Sequence, residues 1–163
     1  MNTSNKPIAF FLIGLPGSGK STWSKPYLES GQFDLISTDY HIDQYAKSVG
    51  KTYSEVFNSY IKEAEKIVKL YLDEVIDGQR NLIWDQTNTT AKARKNKIIK
   101  LDGYIKIAVV FNISEKTQLD RLKKRDDEIG KAIPANILNS MRNHFELPTL
   151  DEGFSQIIEV NYE

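Results

Sequence analysis

Gly14-Leu15-Pro16-Gly17-Ser18-Gly19-Lys20-Ser21-Thr22 is the stretch around which the fold is built. It fits G-x-x-x-x-G-K-[ST]; an apolar run, Ile8 to Ile13, precedes it and a helix-compatible run, Ser21 to Leu28, follows. Strand, glycine-rich turn and helix is the setting this phosphate-binding loop needs. Gly17 and Gly19 permit a tight turn and let backbone N–H groups approach phosphate oxygens where a β-carbon would intrude. The following helix adds unpaired N–H groups and the positive end of its dipole. Lys20 is expected to reach the β- and γ-phosphates and the Ser21 hydroxyl to ligate Mg²⁺. Gly14, Pro16, Gly17, Ser18, Gly19, Lys20, Ser21 and Thr22 are therefore the expected ATP-binding residues. A tight turn capped by Ser18 beside an exposed lysine is the bland alternative, and the flanking strand and helix weigh against it.

At 163 residues the chain is expected to form a single domain, residues 1–163, with a short flexible N-terminus over residues 1–6. Its 22 basic and 22 acidic residues balance, so no global field drives it onto nucleic acid or membrane. A polyanion would be gripped locally. The absence of cysteine removes disulfides, thiolate metal sites and thiol nucleophiles together. Met1 to Pro7 lacks a signal-peptide pattern, and the longest apolar run, Ile8 to Ile13, is too short to span a bilayer. A cytoplasmic protein without membrane contact is the expectation.

Further apolar runs predict strands at Asp34 to Ser37, Asn81 to Trp84, Ile105 to Phe111 and Gln156 to Val160. Pro26 should kink or end the first helix near Lys25. A weakly periodic segment, Ile42 to Gly50, is a candidate helix. Ser54 to Ile76 is a clearer one, with Ile61, Ala64, Val68, Leu72 and Val75 on one face and Gly78 expected at its C′ position. Thr89 or Thr90 caps a lysine-rich helix through Leu101, Ser114 opens a charged helix to about Asp127, and Ala135 to Phe145 is helical. The alternation predicts an α/β fold, a P-loop NTPase-type three-layer sandwich with a mostly parallel sheet of about five strands and a helical lid at about residues 115–133. The loop, Asp39 and Asp85 all follow strands, so they should meet on one rim.

Asp39 is the candidate base for an acceptor hydroxyl, with a turn aspartate as the alternative. Asp85 either holds a Mg²⁺-bound water or, with Gln86, Thr87 and Asn88, binds the acceptor; an Asx-turn is compatible with both. Arg121 and Arg125, four apart, either close over the phosphates or lie on a solvated face. Lys92, Arg94 and Lys95 are placed to meet an acceptor phosphate, whereas Lys97 and Lys100 should serve as solubilising charge. His41 and His144 are isolated and are expected to be structural or surface residues.

The constellation resembles the 5′-polynucleotide kinases. Gly14 to Trp23 is similar to that family's phosphate loop, Ile36-Ser37-Thr38-Asp39 falls where it carries its base, and Asp85-Gln86-Thr87-Asn88 resembles its D-x-T-N motif. Arg121, Arg125 and Gly130-Lys131-Ala132-Ile133-Pro134 resemble its lid and the segment beyond; Phe145 to Phe154 resembles the end of the animal kinase domain. The resemblance implies transfer of the ATP γ-phosphate to a 5′-hydroxyl of DNA or RNA in nucleic-acid repair. Lys20 and Ser21 would handle ATP and Mg²⁺, Asp39 would activate the hydroxyl, Asp85 would place the acceptor, and Arg125 with Arg121 would clamp the phosphates.

One departure is the lack of a basic residue beside Asp39, whose neighbours are Thr38, Tyr40, His41 and Ile42. The acceptor-phosphate contact is then missing, moved to Arg94 or Lys95, or replaced by stacking on Tyr40. A phosphatase domain like that fused in relatives is also lacking, so a separate phosphatase or ligase partner is expected. Two other readings stand beside this one: a kinase of a small-molecule hydroxyl, which zero net charge suits, and an ATP-binding module that transfers nothing.

Overall fold

The computed structural model describes residues 5–162, so residues 1–4 of the segment expected to be flexible lie outside the described residues. Five strands are present: β1 (Ile8–Ile13), β2 (Asp34–Ile36), β3 (Leu82–Trp84), β4 (Ile105–Ile113) and β5 (Gln156–Tyr162). They alternate with helices α1 (Lys20–Glu29), α2 (Thr38–Ser48), α3 (Tyr53–Asp77), α4 (Ala91–Lys100), α5 (Glu115–Ile129) and α6 (Ala135–Asn143). The sheet is parallel throughout, in the order β2-β3-β1-β4-β5.

Alternation along β1 creates the three layers, because successive side chains leave opposite faces of a strand. Ala9, Phe11 and Ile13 pack under α3 and α4 with Val68, Leu72, Val75 and Ile98. Phe10 and Leu12 point the other way, into an aromatic cluster with Trp23 and Tyr27 of α1 and Phe33. Helix starts follow from side-chain caps: Ser37, Thr52, Thr90 and Ser114 each accept a hydrogen bond from the backbone N–H three residues on.

Three local expectations are corrected. Helix α1 runs through Pro26 to Glu29. Its last turn is held by Tyr27, whose ring lies 4.7 Å from Trp23 and 5.2 Å from Phe10, contacts that offset the backbone bond proline removes. Helix α2 starts at Thr38, four residues before the expected segment, because Ser37 caps it; Asp39 therefore sits in a helical first turn. Gly78 has an ordinary φ of −78°, and Gln79, at φ 49°, is the left-handed residue that ends α3.

The parallel sheet brings the carboxyl ends of β1, β2 and β3 to one rim, where the loop, Asp39 and Asp85 lie. Among the described residues no helix is long and apolar enough to cross a membrane.

Candidate active site

The loop between β1 and α1 turns on Gly17 (φ 78°) and Gly19 (φ 99°), both in the left-handed region. At Gly19 a β-carbon would stand 2.6 Å from the Tyr162 ring and 3.2 Å from Nη1 of Arg121; at Gly17 it would stand 3.2 Å from Leu122. The glycines thus let α5, the expected lid helix, and β5 close onto the loop. Gln118 of α5 donates to the Pro16 carbonyl at 2.8 Å, which ties that helix to the loop. Arg121 lies over the Tyr162 ring, 5.4 Å from its centroid.

Lys20 donates to the Gly14 carbonyl at 3.0 Å and lies 3.9 Å from Oδ1 of Asp85. Ser18 is 1% exposed and its hydroxyl has no hydrogen-bond partner. An unpartnered donor, a loop of N–H groups open only to glycine and a lysine at its mouth together fit a polyphosphate. Ser21 is exposed in the first turn of α1, and no group of three His, Cys, Asp or Glu that could hold a metal occurs among the described residues. A Mg²⁺ ion carried in by phosphates, with Ser21 as its protein ligand, fits that donor set.

A cleft of about 500 Å³ opens beside the loop, lined by Lys20, Thr38, Asp39, Asp85, Gln86, Thr87 and Lys97, with Phe57, Ile61 and Met141 as its apolar wall. Asp39 presents its carboxylate here and is held on both oxygens. The Tyr53 hydroxyl donates to Oδ1 at 2.6 Å and Lys131 donates to Oδ2 at 3.3 Å. Partial desolvation pushes the Asp39 carboxyl up, but the Lys131 charge, the two hydrogen bonds and the Lys20 charge outweigh it and hold it below the usual carboxylate range. Burial and the Asp39 charge push the Tyr53 phenol far up, so it stays a donor. Burial raises Asp85 as well, opposed by Lys20.

Arg125 follows Arg121 by one turn of α5, and its charge opposes the raised values of both Asp43 and Asp85. The structure therefore gathers Lys20, Asp39, Asp85 and Thr87 in one cleft, while Arg121 stands beside Gly19 of the loop and Arg125 acts on the cleft carboxylates through its charge, both outside the lining.

Two expected acceptor contacts are not available. Arg94 is fully buried; it forms a two-point pair with Glu152, at 2.8 and 3.2 Å, and donates to the carbonyls of Asn88 and Glu146. It fastens the C-terminal segment to α4. Asn88 is also buried; its amide donates to the carbonyls of Leu12 and Trp84 at 3.1 Å and accepts from Lys97 at 2.7 Å. Both are spent on the scaffold.

Lys97 is corrected in the opposite sense. Its ammonium reaches back to the Thr87 carbonyl at 2.8 Å and lines the cleft. Burial, only partly countered by Asp85, brings its pKa down to about 8. Lys92, Lys95 and Lys100 remain exposed outside the cleft lining. His144 caps the end of α6, its Nδ1 2.7 Å from the Ser140 carbonyl, and His41 packs edge-on against Tyr40. The residues to which the sequence assigns no role are Tyr53 and Asp43, beside Asp39, and Phe57 in the cleft wall; Lys131, read only as part of the segment beyond the lid, bonds Asp39 directly. Only Lys131, adjacent to the glycine that ends α5, carried a local signal.

A parallel 2-3-1-4-5 sheet, a phosphate loop after its first strand and a helix crossing that loop after its fourth define a P-loop kinase fold. The sequence profile of the AAA_33 family, described as an AAA domain, matches residues 10–148, and the chain belongs to that family. Human heterogeneous nuclear ribonucleoprotein U-like protein 2 is 23% identical over 158 residues, covering 93% of this chain and 21% of the relative. The bifunctional polynucleotide phosphatase/kinase of Schizosaccharomyces pombe is 24% identical over 155 residues, covering 93% of this chain and 33% of the relative. This chain spans about a fifth to a third of the length of these relatives.

Among solved structures, a protein from Chloroflexus aurantiacus assigned as a kinase superposes with a TM-score of 0.71 at 19% identity, covering 97% of this chain and 86% of that one. A chain of the Pnkp1/Rnl/Hen1 RNA repair complex gives 0.67 at 20% identity, over 88% and 45%. Shikimate kinase from Acinetobacter baumannii gives 0.55 at 18% identity, over 96% and 86%. Neighbours of this fold thus include kinases of small molecules, and the fold supports a phosphotransferase without naming its acceptor.

Proposed function

We propose that this chain transfers the γ-phosphate of ATP to the 5′-hydroxyl end of DNA or RNA. The observation that carries the reading is the Asp39 carboxyl group, bonded on both oxygens, in the same cleft as Lys20 and Asp85. The acceptor oxygen attacks the γ-phosphorus, its proton passes to Asp39, and the bond to the β–γ bridging oxygen breaks to release ADP. Lys20, the loop N–H groups, Arg121 and Arg125 stabilise the charge on the transferring group. The Ser21 hydroxyl would hold a Mg²⁺ ion brought in with the nucleotide, which would supply neutralisation of phosphate charge. Asp85 and Thr87 orient the acceptor, while Phe57 in the cleft wall and Tyr40, 48% exposed beside Asp39, offer faces for a terminal base. The likeness to the S. pombe phosphatase/kinase supports a polynucleotide end as acceptor. A separate phosphatase or ligase, in the cytoplasm, would complete a repair reaction.

A second reading is favoured by the charge of the cleft. Asp39, Asp85 and Glu65 line it against only Lys20 and Lys97, and Arg94 is withdrawn from it. That lining suits a compact neutral or cationic hydroxyl compound. Labelled ATP offered with 5′-hydroxyl RNA and DNA oligonucleotides, mononucleosides and 3′-phosphorylated nucleosides decides between them. Oligonucleotide transfer well above that of free nucleosides supports the polynucleotide reading; equal or greater transfer to free nucleosides overturns it.

A further inference from the structure

Lys131 is 6% exposed, yet it belongs neither to the phosphate loop nor to the apolar core. A charge so far out of water requires compensation. It finds Oδ2 of Asp39 at 3.3 Å, Oδ2 of Asp43 at 3.8 Å and the face of the Tyr53 ring 4.2 Å away. Asp39 itself stays more than half exposed, so the lysine gives up its water for a carboxylate that still faces solvent, and burying a charge in that way is on average no more stabilising than burying an apolar side chain of the same size. What the lysine does to the neighbouring carboxylate is therefore the better account of it.

The backbone around Lys131 is pinned. Gly130 ends α5 in the left-handed region (φ 64°), and a β-carbon there would stand 2.5 Å from Cγ2 of Thr52. Its carbonyl accepts from the Ser54 N–H at 3.3 Å, and the Ala132 N–H donates to the Ser54 hydroxyl at 3.1 Å. The first turn of α3, which carries Tyr53, is thus clamped to the segment that carries Lys131. One donor arrives from each side, and each takes a different oxygen of Asp39.

We propose that Lys131 and Tyr53 are a positioning pair for Asp39, fixing the plane of its carboxylate and tying the acceptor side of the site to the segment that trails α5. This rests on the role given to Asp39 under the proposed function. A carboxylate bonded on both oxygens cannot turn about its own axis, so one remaining lone pair keeps its aim into the cleft. Because α5 also carries Arg121 and Arg125 and is tied to the loop by Gln118, its position sets the phosphate clamp and the aim of Asp39 together.

The charged and titratable groups facing Asp39 are Lys131 from the segment after α5, Tyr53 from α3, Asp43 from its own helix, Lys20 from the loop and Asp85 from the end of β3, with Arg125 acting on Asp43 and Tyr53. The experiment is a carboxyl ¹³C titration of Asp39 in the unmodified chain, Lys131→Met, Lys131→Arg and Tyr53→Phe, with circular dichroism as the folding control. Alongside it runs the pH dependence of kcat on the best acceptor. Lys131→Met is expected to move the Asp39 midpoint and the acidic limb of kcat upward together, with KM for ATP unchanged and Lys131→Arg restoring most of the shift. Should Lys131→Met fail to fold, Tyr53→Phe keeps the ring over Lys131 and is expected to shift Asp39 in the same direction. A folded variant of either kind with an unmoved Asp39 midpoint overturns the proposal. If the unmodified chain phosphorylates no hydroxyl, the functional reading fails, and the titration still decides the positioning.

Discussion

Lys20 and Asp85 face each other across the phosphate loop, Nζ 3.9 Å from Oδ1, with both side chains about four-fifths covered. The second contact of Lys20 is the loop's own Gly14 carbonyl, at 3.0 Å. A polyphosphate entering the loop offers the lysine stronger partners than either. Lys20→Ala is expected to lower kcat by about 10²–10³-fold, the usual loss of one preorganised donor to transition-state charge. Steady-state turnover checks this, and unchanged turnover contradicts the placement of the site.

Gly19 tests the cradle from the other side. Its φ of 99° is strained for any residue with a side chain, and the added carbon would stand 2.6 Å from Tyr162. Gly19→Ala is expected to cost about 1–3 kcal/mol of stability and to remove ATP binding measurable by calorimetry. Normal ATP affinity in that variant would mean that nucleotide does not use this loop.

Arg94 is expected to matter for stability and not for the acceptor. Replacing it with Met leaves Glu152 and two main-chain carbonyls without their donor. Breaking a buried pair in this way costs about 3–5 kcal/mol, which urea unfolding reads directly. KM for the acceptor should be unchanged in the folded fraction. A raised acceptor KM with unchanged stability would return Arg94 to the acceptor site.

Lys97 carries a pH signature. Its pKa is brought down from the ordinary 10.5 to about 8 by burial. Between those values the unfolded chain keeps the proton and the folded chain releases it, so stability rises with pH across the window. Lys97→Met removes that rise, and the difference between the two unfolding curves from pH 8 to 10.5 isolates it. Parallel curves would show that Lys97 is not desolvated in solution.

The scaffold was readable because each strand is a short apolar run and most helices open on a capping hydroxyl, as at Thr90 and Ser114. The phosphate loop was readable because its function is local, carried by consecutive backbone groups. The surroundings of Asp39 were not. Tyr53 lies 14 residues on and Lys131 92 residues on; the packing of α3 against α2 brings the first, and the bonds of the segment after α5 to the first turn of α3 bring the second. Arg94 misled for the same reason: its partner Glu152 is 58 residues away, and the crossing of the C-terminal segment buries it. The stretch Phe145 to Phe154 lies on that fastening, with Phe154 packed edge-on against Phe11, and not on the acceptor cleft. Pro26 was over-read because the aromatic packing that carries α1 past it is tertiary.

Asp39→Asn addresses the central claim most directly, because it keeps the size of the side chain and its bond from Tyr53 while removing the negative charge. Single-turnover transfer and ATP affinity should be measured on the same preparation. A base contributes about 10²–10⁴-fold, so turnover is expected to fall by that factor with ATP affinity nearly intact. Full turnover, or loss of ATP binding in place of turnover, would contradict the assignment of Asp39 to the acceptor.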